Sequence, residues 1–269
     1  MIKTSSIKYL SLNQRKQYLK LRKKFNNKKY IEFLKKGMLP RPHYALGLYF
    51  AAVQAKSLGF KKIKVLEFGC HNFEGLIDLE NHIADIRKFL NLEFEIYGFT
   101  LKSGLPNYSN GKFDRYYRWS PKEYPMNNLN NLKKLKISKV IFGDIKNTLT
   151  KFLKRNKFEK SPIGFVIFDL DLYTSTKYAL KVLRMRDNCY LPRLINYFDD
   201  NSFSSVDEGE LRAISEFNKK NIRKISIIHE LAEQLSIYFK KWIFLGKRFR
   251  VINFFKNKHF NKKTPQIFG

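Results

Sequence analysis

Ile63-Lys64-Val65-Leu66-Glu67-Phe68-Gly69-Cys70-His71-Asn72-Phe73-Glu74-Gly75 decides how this chain is read. The first six residues are largely β-branched, aliphatic and aromatic, two glycines bracket a polar turn, and Leu76, Leu79, Ile83, Ile86 and Leu90 then recur at helical spacing. The stretch is a strand, a turn and a helix. The alternation returns with an apolar run at 94–99, with 139–142 before a helix over 145–153, with 164–168 before a helix over 174–183, and with 194–198 before a helix over 207–217. Strands alternating with helices predict an α/β fold with a mainly parallel sheet covered on both faces, whose ligands sit at the carboxyl ends of the strands. Two more strands, at 224–229 and 242–245, are expected to complete a seven-stranded sheet.

Upstream, a mostly apolar helix runs from Pro42 to Leu58, with Gly59 suited to a left-handed cap. Residues 14–36 read as one or two basic amphipathic helices closed by Gly37 and Pro40. The expected organisation is a basic helical extension over 1–40, a core domain over 41–246 and a basic tail over 247–269. The connection at 104–131 is long and rich in aromatics, among them Tyr108, Tyr116, Tyr117, Trp119 and Tyr124. Such a segment reads as a lid or binding loop, its rings either stacking on an acceptor or folding over as surface.

The chain has 269 residues, 43% of them hydrophobic, which excludes wholesale disorder. Its 53 basic and 23 acidic side chains give a net charge of +30, concentrated in residues 1–36 and 218–269 around a nearly balanced centre. Such ends can hold RNA or acidic lipid, but lysine far outnumbers arginine, a drift that an AT-rich genome produces without selection for a polyanion. Nucleic acid is thus a weighed partner and not the favoured one. The only cysteines, Cys70 and Cys189, are spaced for neither a metal knuckle nor a redox pair, which points to a reducing compartment. No apolar run approaches the ~20 residues of a membrane span, and the start lacks a signal-peptide core, so a soluble cytoplasmic protein is expected.

In the deciding stretch, Gly69 permits close approach of backbone to a ligand and Gly75 lets the helix start against the strand. A dinucleotide site requires glycines at G-x-G-x-x-G; His71 occupies the second of those places, which disfavours a nicotinamide cofactor. The strongest signal lies further on. Asp169-Leu170-Asp171 ends the fourth strand and Asp199-Asp200-Asn201 the fifth. Neighbouring strands lie about 5 Å apart, so these carboxylates repel unless a cation, a proton or a basic side chain offsets them. The oxygen-rich cluster suits Mg²⁺, while the alternative has the acids capping helices and pairing with lysines.

An acid followed by a loose glycine turn, Glu67-Phe68-Gly69, resembles motif I of class I S-adenosylmethionine-dependent methyltransferases, and Gly143-Asp144 resembles the glycine-acid pair that meets adenine there. Phe168-Asp169-Leu170-Asp171-Leu172-Tyr173-Thr174-Ser175-Thr176 and Phe198-Asp199-Asp200 resemble the D-x-D-x-Y-x-S-T and D-D motifs of the macrocin O-methyltransferase family. The similarity spans about 41–218 and omits the basic ends. It implies a Rossmann-like fold and an S-adenosylmethionine cofactor contacted by Glu67, Gly69, Cys70, His71, Asn72, Gly75, Thr100 and Asp144. It further implies Mg²⁺ held by Asp169, Asp199 and Asp200, with Asp171 and Asp169 as the catalytic carboxylates and a small-molecule or glycan hydroxyl as acceptor. A homo-oligomer is compatible with it. One departure stands out: Thr100 occupies the place of the acid that holds ribose, and a threonine makes a single hydrogen bond where a carboxylate makes two. Asp144 reads equally as a helix cap. His71 reads as a group acting on the acceptor or as a plain hydrogen-bonding residue, and His43 and Tyr44 as cofactor contacts or packing. Ser205 to Glu208 has capping-box spacing, which makes Asp207 and Glu208 structural. The competing readings are a nucleic-acid-binding protein with a vestigial cofactor site and an RNA methyltransferase.

Overall fold

The computed structural model describes residues 10–108, 111–127, 129–202, 205–228 and 248–264. Strands β1 (Lys62–Phe68), β2 (Glu93–Thr100), β3 (Ser138–Phe142), β4 (Ile163–Phe168) and β5 (Tyr190–Phe198) run parallel. With β6 (Ser226–Ile227) and β7 (Phe249–Asn253) they form one sheet in the order β3-β2-β1-β4-β5-β7-β6, in which β7 is antiparallel to both its neighbours. The chain enters at the centre, winds outward to β3 and returns to β4 beside β1. That reversal is where an open α/β sheet leaves a crevice at its carboxyl edge.

Side-chain alternation explains the layers. Ile63 and Val65 of β1 and Phe165 and Ile167 of β4 share a core with α3 (Pro42–Ser57) and α4 (Glu74–Ile86). Leu66, Phe68, Val166 and Phe168 face α5 (Ile145–Arg155), α6 (Tyr173–Ala179) and α7 (Gly209–Lys220) on the other side. Both faces are covered, so β4 is buried throughout and reads as a continuous apolar run.

One row of rings levels the strand ends. Phe99, Phe68, Phe168 and Phe198 pair in register across four strands, with neighbouring ring centroids 4.7, 5.3 and 4.5 Å apart. The ladder then runs one residue further: the Gly69, Asp169 and Asp199 N–H groups donate to the carbonyls of Phe99, Phe68 and Phe168, each at 2.9 Å. Gly69, Asp169 and Asp199 are thereby fixed at one height.

Three expectations change. The basic extension has α1 (Leu12–Leu21) and α2 (Asn27–Lys35) packed into the main core, where Tyr18, Phe25, Tyr30, Phe33 and Leu34 are buried beside α3 and α4 residues. Its lysines mask this buried stripe in the sequence. Fully buried Asp85 of α4 accepts from Tyr18 Oη at 2.8 Å and Arg22 Nε at 3.2 Å, so residue 40 marks a change of composition and not of packing. The strand expected at 242–245 lies outside the described residues. The strand that is seen, β7, falls within the segment expected to be a tail from 247; its pattern was disguised because Arg248 and Arg250, both buried, occupy positions where an apolar residue would announce a strand. Finally, α7 starts at Gly209, and Glu208, at its N-cap, makes no side-chain cap bond. Its carboxylate instead accepts from Tyr117 Oη at 2.7 and 2.9 Å and lies 3.5 Å from Arg115 Nε. No helix among the described residues is long and apolar enough to cross a membrane.

Candidate active site

A cavity of about 440 Å³ opens over the carboxyl ends of β1 and β4. It is lined by Glu67, Gly69, Cys70, His71, Asn72, Gly75, Thr100 and Asp144 on the β1–β3 side and by Asp169, Asp171, Asp199 and Asp200 on the β4–β5 side, which brings together every site residue picked from the sequence.

On the β1–β3 side the turn closes tightly. Gly69 has φ +96°, and a Cβ there would overlap the Asp169 carbonyl; at Gly75 a Cβ would run into the Glu67 carboxylate and the Tyr44 ring. Glu67 is buried, accepts from Tyr44 Oη at 2.9 Å, and keeps Oε2 without a protein partner. Burial pushes its pKa up to about 7, opposed by Arg41 and the tyrosine bond. Tyr44 and His43 both line the cavity, and His43 also stacks on Tyr197 at 4.6 Å. The Cys70 thiol is buried, which holds it well above its usual range, and its sulfur lies 3.3 Å from the Phe99 carbonyl. His71 Nε2 is 3.2 Å from the Pro125 carbonyl, and Asn72 Oδ1 accepts the Asn127 N–H at 3.2 Å; these two side chains tie the turn to the 104–131 segment. The Thr100 carbonyl accepts the Gly143 N–H at 3.0 Å. Asp144 caps α5 through the Lys146 N–H at 2.8 Å while lining the cavity, so its two roles coexist.

On the β4–β5 side four aspartates converge, and their charges cannot all be free. Burial and the charges of Asp199 and Asp200 raise Asp169 well above the carboxylate range; burial and the charges of Asp200 and Asp169 do the same to Asp171. The interaction between Asp171 and Asp200 favours the protonated form of Asp171 and the ionised form of Asp200. Asp171 also has φ +53°, a left-handed conformation that costs roughly 1 kcal/mol or more in a non-glycine residue and that tends to occur at functional sites. Asp199 is offset differently: its Oδ1 accepts from Arg248 Nη1 at 2.7 Å and Tyr197 Oη at 2.8 Å. Buried Glu210 accepts the Asp200 N–H at 2.9 Å.

Sequence reasoning missed Arg248 and Glu210, and it left Trp119 and Tyr124 among several loop aromatics. It also missed Arg41 as a cavity residue; Arg41 pairs with Asp78 at 3.2 Å and carries φ +40° just before Pro42, where a proline at the first helical position was the available signal. The hard oxygens of the aspartates suit a divalent cation in kind. Their arrangement does not: among the described residues no group of three or more His, Cys, Asp or Glu side chains is placed to hold a metal ion. Asp199 is engaged with Arg248, so an ion would have to displace that partner.

The sheet order with antiparallel β7, and a cavity at the β1/β4 reversal, define the class I methyltransferase fold. No family model matches the chain, and no curated protein matches it. Among solved structures it is similar to the O-methyltransferase NovP, with a TM-score of 0.53 at 11% identity over 79% of each chain. It also aligns with CalS11, a TDP-rhamnose 3'-O-methyltransferase of calicheamicin biosynthesis, at TM-score 0.40 and 19% identity over 80% of this chain and 88% of that one. The plantazolicin methyltransferase BpumL, solved with SAH, aligns at TM-score 0.33 and 12% identity over 90% and 99%. At these identities the likeness is one of fold, and the NovP superposition supports it.

Proposed function

We propose that the chain is an S-adenosylmethionine-dependent O-methyltransferase acting on a hydroxylated acceptor, and specifically on a sugar hydroxyl. The observation behind this reading is the single cavity that joins the glycine turn after β1 to the aspartates after β4 and β5. A carboxylate-lined cavity favours a cationic donor, and a sulfonium ion is one. Glu67 and the turn at Gly69 and Gly75 take the methionine part, Asp144 the adenine amino group and Thr100 one ribose hydroxyl. Asp169 orients the acceptor oxygen and Asp171, in its ionised form, takes its proton. The oxygen lone pair forms the new O–C bond as the C–S bond breaks, which leaves a methyl ether and neutral S-adenosylhomocysteine.

The second part of the proposal is Mg²⁺, which Asp169, Asp199 and Asp200 would hold only after moving from the arrangement seen, with Asp199 released from Arg248. An ion held there would supply Lewis-acid assistance that lowers the pKa of an acceptor hydroxyl. Calorimetry tests the two parts separately. S-Adenosylmethionine is expected to bind with or without Mg²⁺, and Mg²⁺ binding is expected to vanish in the Asp199→Ala, Asp200→Ala protein while donor binding survives. Folded protein that binds no donor overturns the methyltransferase reading; donor binding without any Mg²⁺ binding overturns the metal alone.

A further inference from the structure

We infer that Trp119 and Tyr124 form the acceptor-ring subsite of this cavity and that the subsite selects a pyranose over a planar aromatic acceptor. The inference rests on the methyltransferase reading and adds the residues that choose the substrate.

The 104–131 segment sorts its aromatics by partner. Tyr116 Oη accepts the Tyr108 N–H at 2.8 Å and donates to the Pro106 carbonyl at 3.1 Å, an internal brace. Tyr117 is 78% exposed and bonded to Glu208, away from the site. Tyr108 lies over the adenine side, its hydroxyl 3.2 Å from Ser175 Oγ and 3.5 Å from Asp144 Oδ1. Trp119 and Tyr124 line the cavity with ring centroids 5.7 Å apart at 54°, and His71 meets Tyr124 edge-on at 5.8 Å.

Two features aim this pair at a ligand. Trp119 Nε1 is buried and has no hydrogen-bond partner, an arrangement native proteins avoid unless something else accepts the N–H. Tyr124 shares the cavity lining with Asp169, Asp171 and Asp200, and burial with the charges of Asp171, Glu123, Asp200 and Asp169 holds the proton on its hydroxyl. The wall is also built in advance. Tyr124 and Lys122 sit at φ +57° and +64°, and this strained stretch is clamped by the Leu105 N–H to the Glu123 carbonyl and the Lys122 N–H to the Leu105 carbonyl, both at 2.8 Å. Fully buried Asp114 anchors the same segment to α6 by accepting the Thr174 N–H at 2.5 Å and hydroxyl at 2.6 Å. Strain held by so many anchors indicates a surface shaped before the acceptor arrives.

Shape and charge then choose between ring types. Trp119 and Tyr124 line the same cavity as Asp169, Asp171, Asp199 and Asp200. A pyranose has an apolar C–H face to lay on the indole and hydroxyls at its rim to meet carboxylates and the free Nε1–H. A catechol has two apolar faces, one of which would lie unpaired against the carboxylates.

The chain has two tryptophans, Trp119 and Trp242, so a Trp242→Phe protein reports on Trp119 by fluorescence. With S-adenosylhomocysteine saturating, methyl hexopyranosides, nucleoside-diphosphate hexoses and catechol are added in turn, and calorimetry on the unaltered protein repeats each titration. We expect at least one of the sugars to bind and to shift Trp119 emission, and catechol to bind more weakly. Trp119→Ala is expected to weaken that sugar by about tenfold or more, and Trp119→Phe, which keeps a ring and loses the N–H, by about fivefold. S-Adenosylhomocysteine affinity should stay unchanged in both. Tighter catechol binding, no sugar binding in protein that still takes S-adenosylhomocysteine, or sugar affinity indifferent to Trp119→Ala each overturns the inference. Failure of S-adenosylhomocysteine to bind the unaltered protein overturns the methyltransferase reading, and this inference with it.

Discussion

On the β1–β3 side of the cavity the chain uses backbone, two sterically required glycines and two carboxylates, Glu67 and Asp144; on the β4–β5 side it uses four aspartates and Arg248. The first side gains from closeness, since small residues let a ligand lie against the turn. The second side gains from charge held at a cost, since burial and mutual repulsion oppose every ionised carboxylate there. Affinity for the donor should therefore depend on the first side and turnover on the second.

Asp171→Asn gives the hardest test of that division. Turnover is expected to fall at least about a hundredfold, with S-adenosylhomocysteine affinity within about twofold of the unaltered protein, as calorimetry and a methyl-transfer assay would read. A large loss of affinity would break the comparison. Gly69→Ala makes the converse case: a methyl against the Asp169 carbonyl at φ +96° should cost about 3 kcal/mol of stability by denaturant titration and weaken the donor.

Glu67 separates the sides by pH. Its folded pKa of about 7 lies above the ordinary 4.5, so the folded state holds this proton more tightly than the unfolded chain does. The group's contribution is full below pH 4.5 and is lost as pH rises through 7, about 3 kcal/mol in all. Thermal melts of the empty protein between pH 4.5 and 8 should show the loss, and Glu67→Gln, which retains the Tyr44 contact, should flatten it. An unchanged slope in that variant would assign the pH response to the aspartates. The smallest expected effect is at Thr100: alanine there should weaken the donor by roughly fivefold, the worth of one hydrogen bond.

Much of this was legible in the sequence because a parallel sheet sends the residue after each strand to one edge. Asp169 and Asp199 could be placed beside Gly69 from strand endings alone. Arg248 could not, since a buried arginine in a short basic run looks like tail, and its partner Asp199 is 49 positions away. Nor could Trp119, which lines the cavity, be told from exposed Tyr117, since the Asp114 contact that anchors their segment is with Thr174, 60 positions on. Glu210 was hidden in an amphipathic helix, where an acid in the first turn is ordinary. The burial of Tyr18, Phe25 and Tyr30 was obscured by the lysines between them, which occupy the outer faces of α1 and α2.

The four phenylalanines that meet in register beneath the cavity have an engineering consequence. They form a foundation course that stays level whatever is built on top, so the segments following β4 and β5 should behave as replaceable modules. Transplanting them into another sheet of the same strand order would demand matching rings at the final rung more than any likeness in the polar residues above.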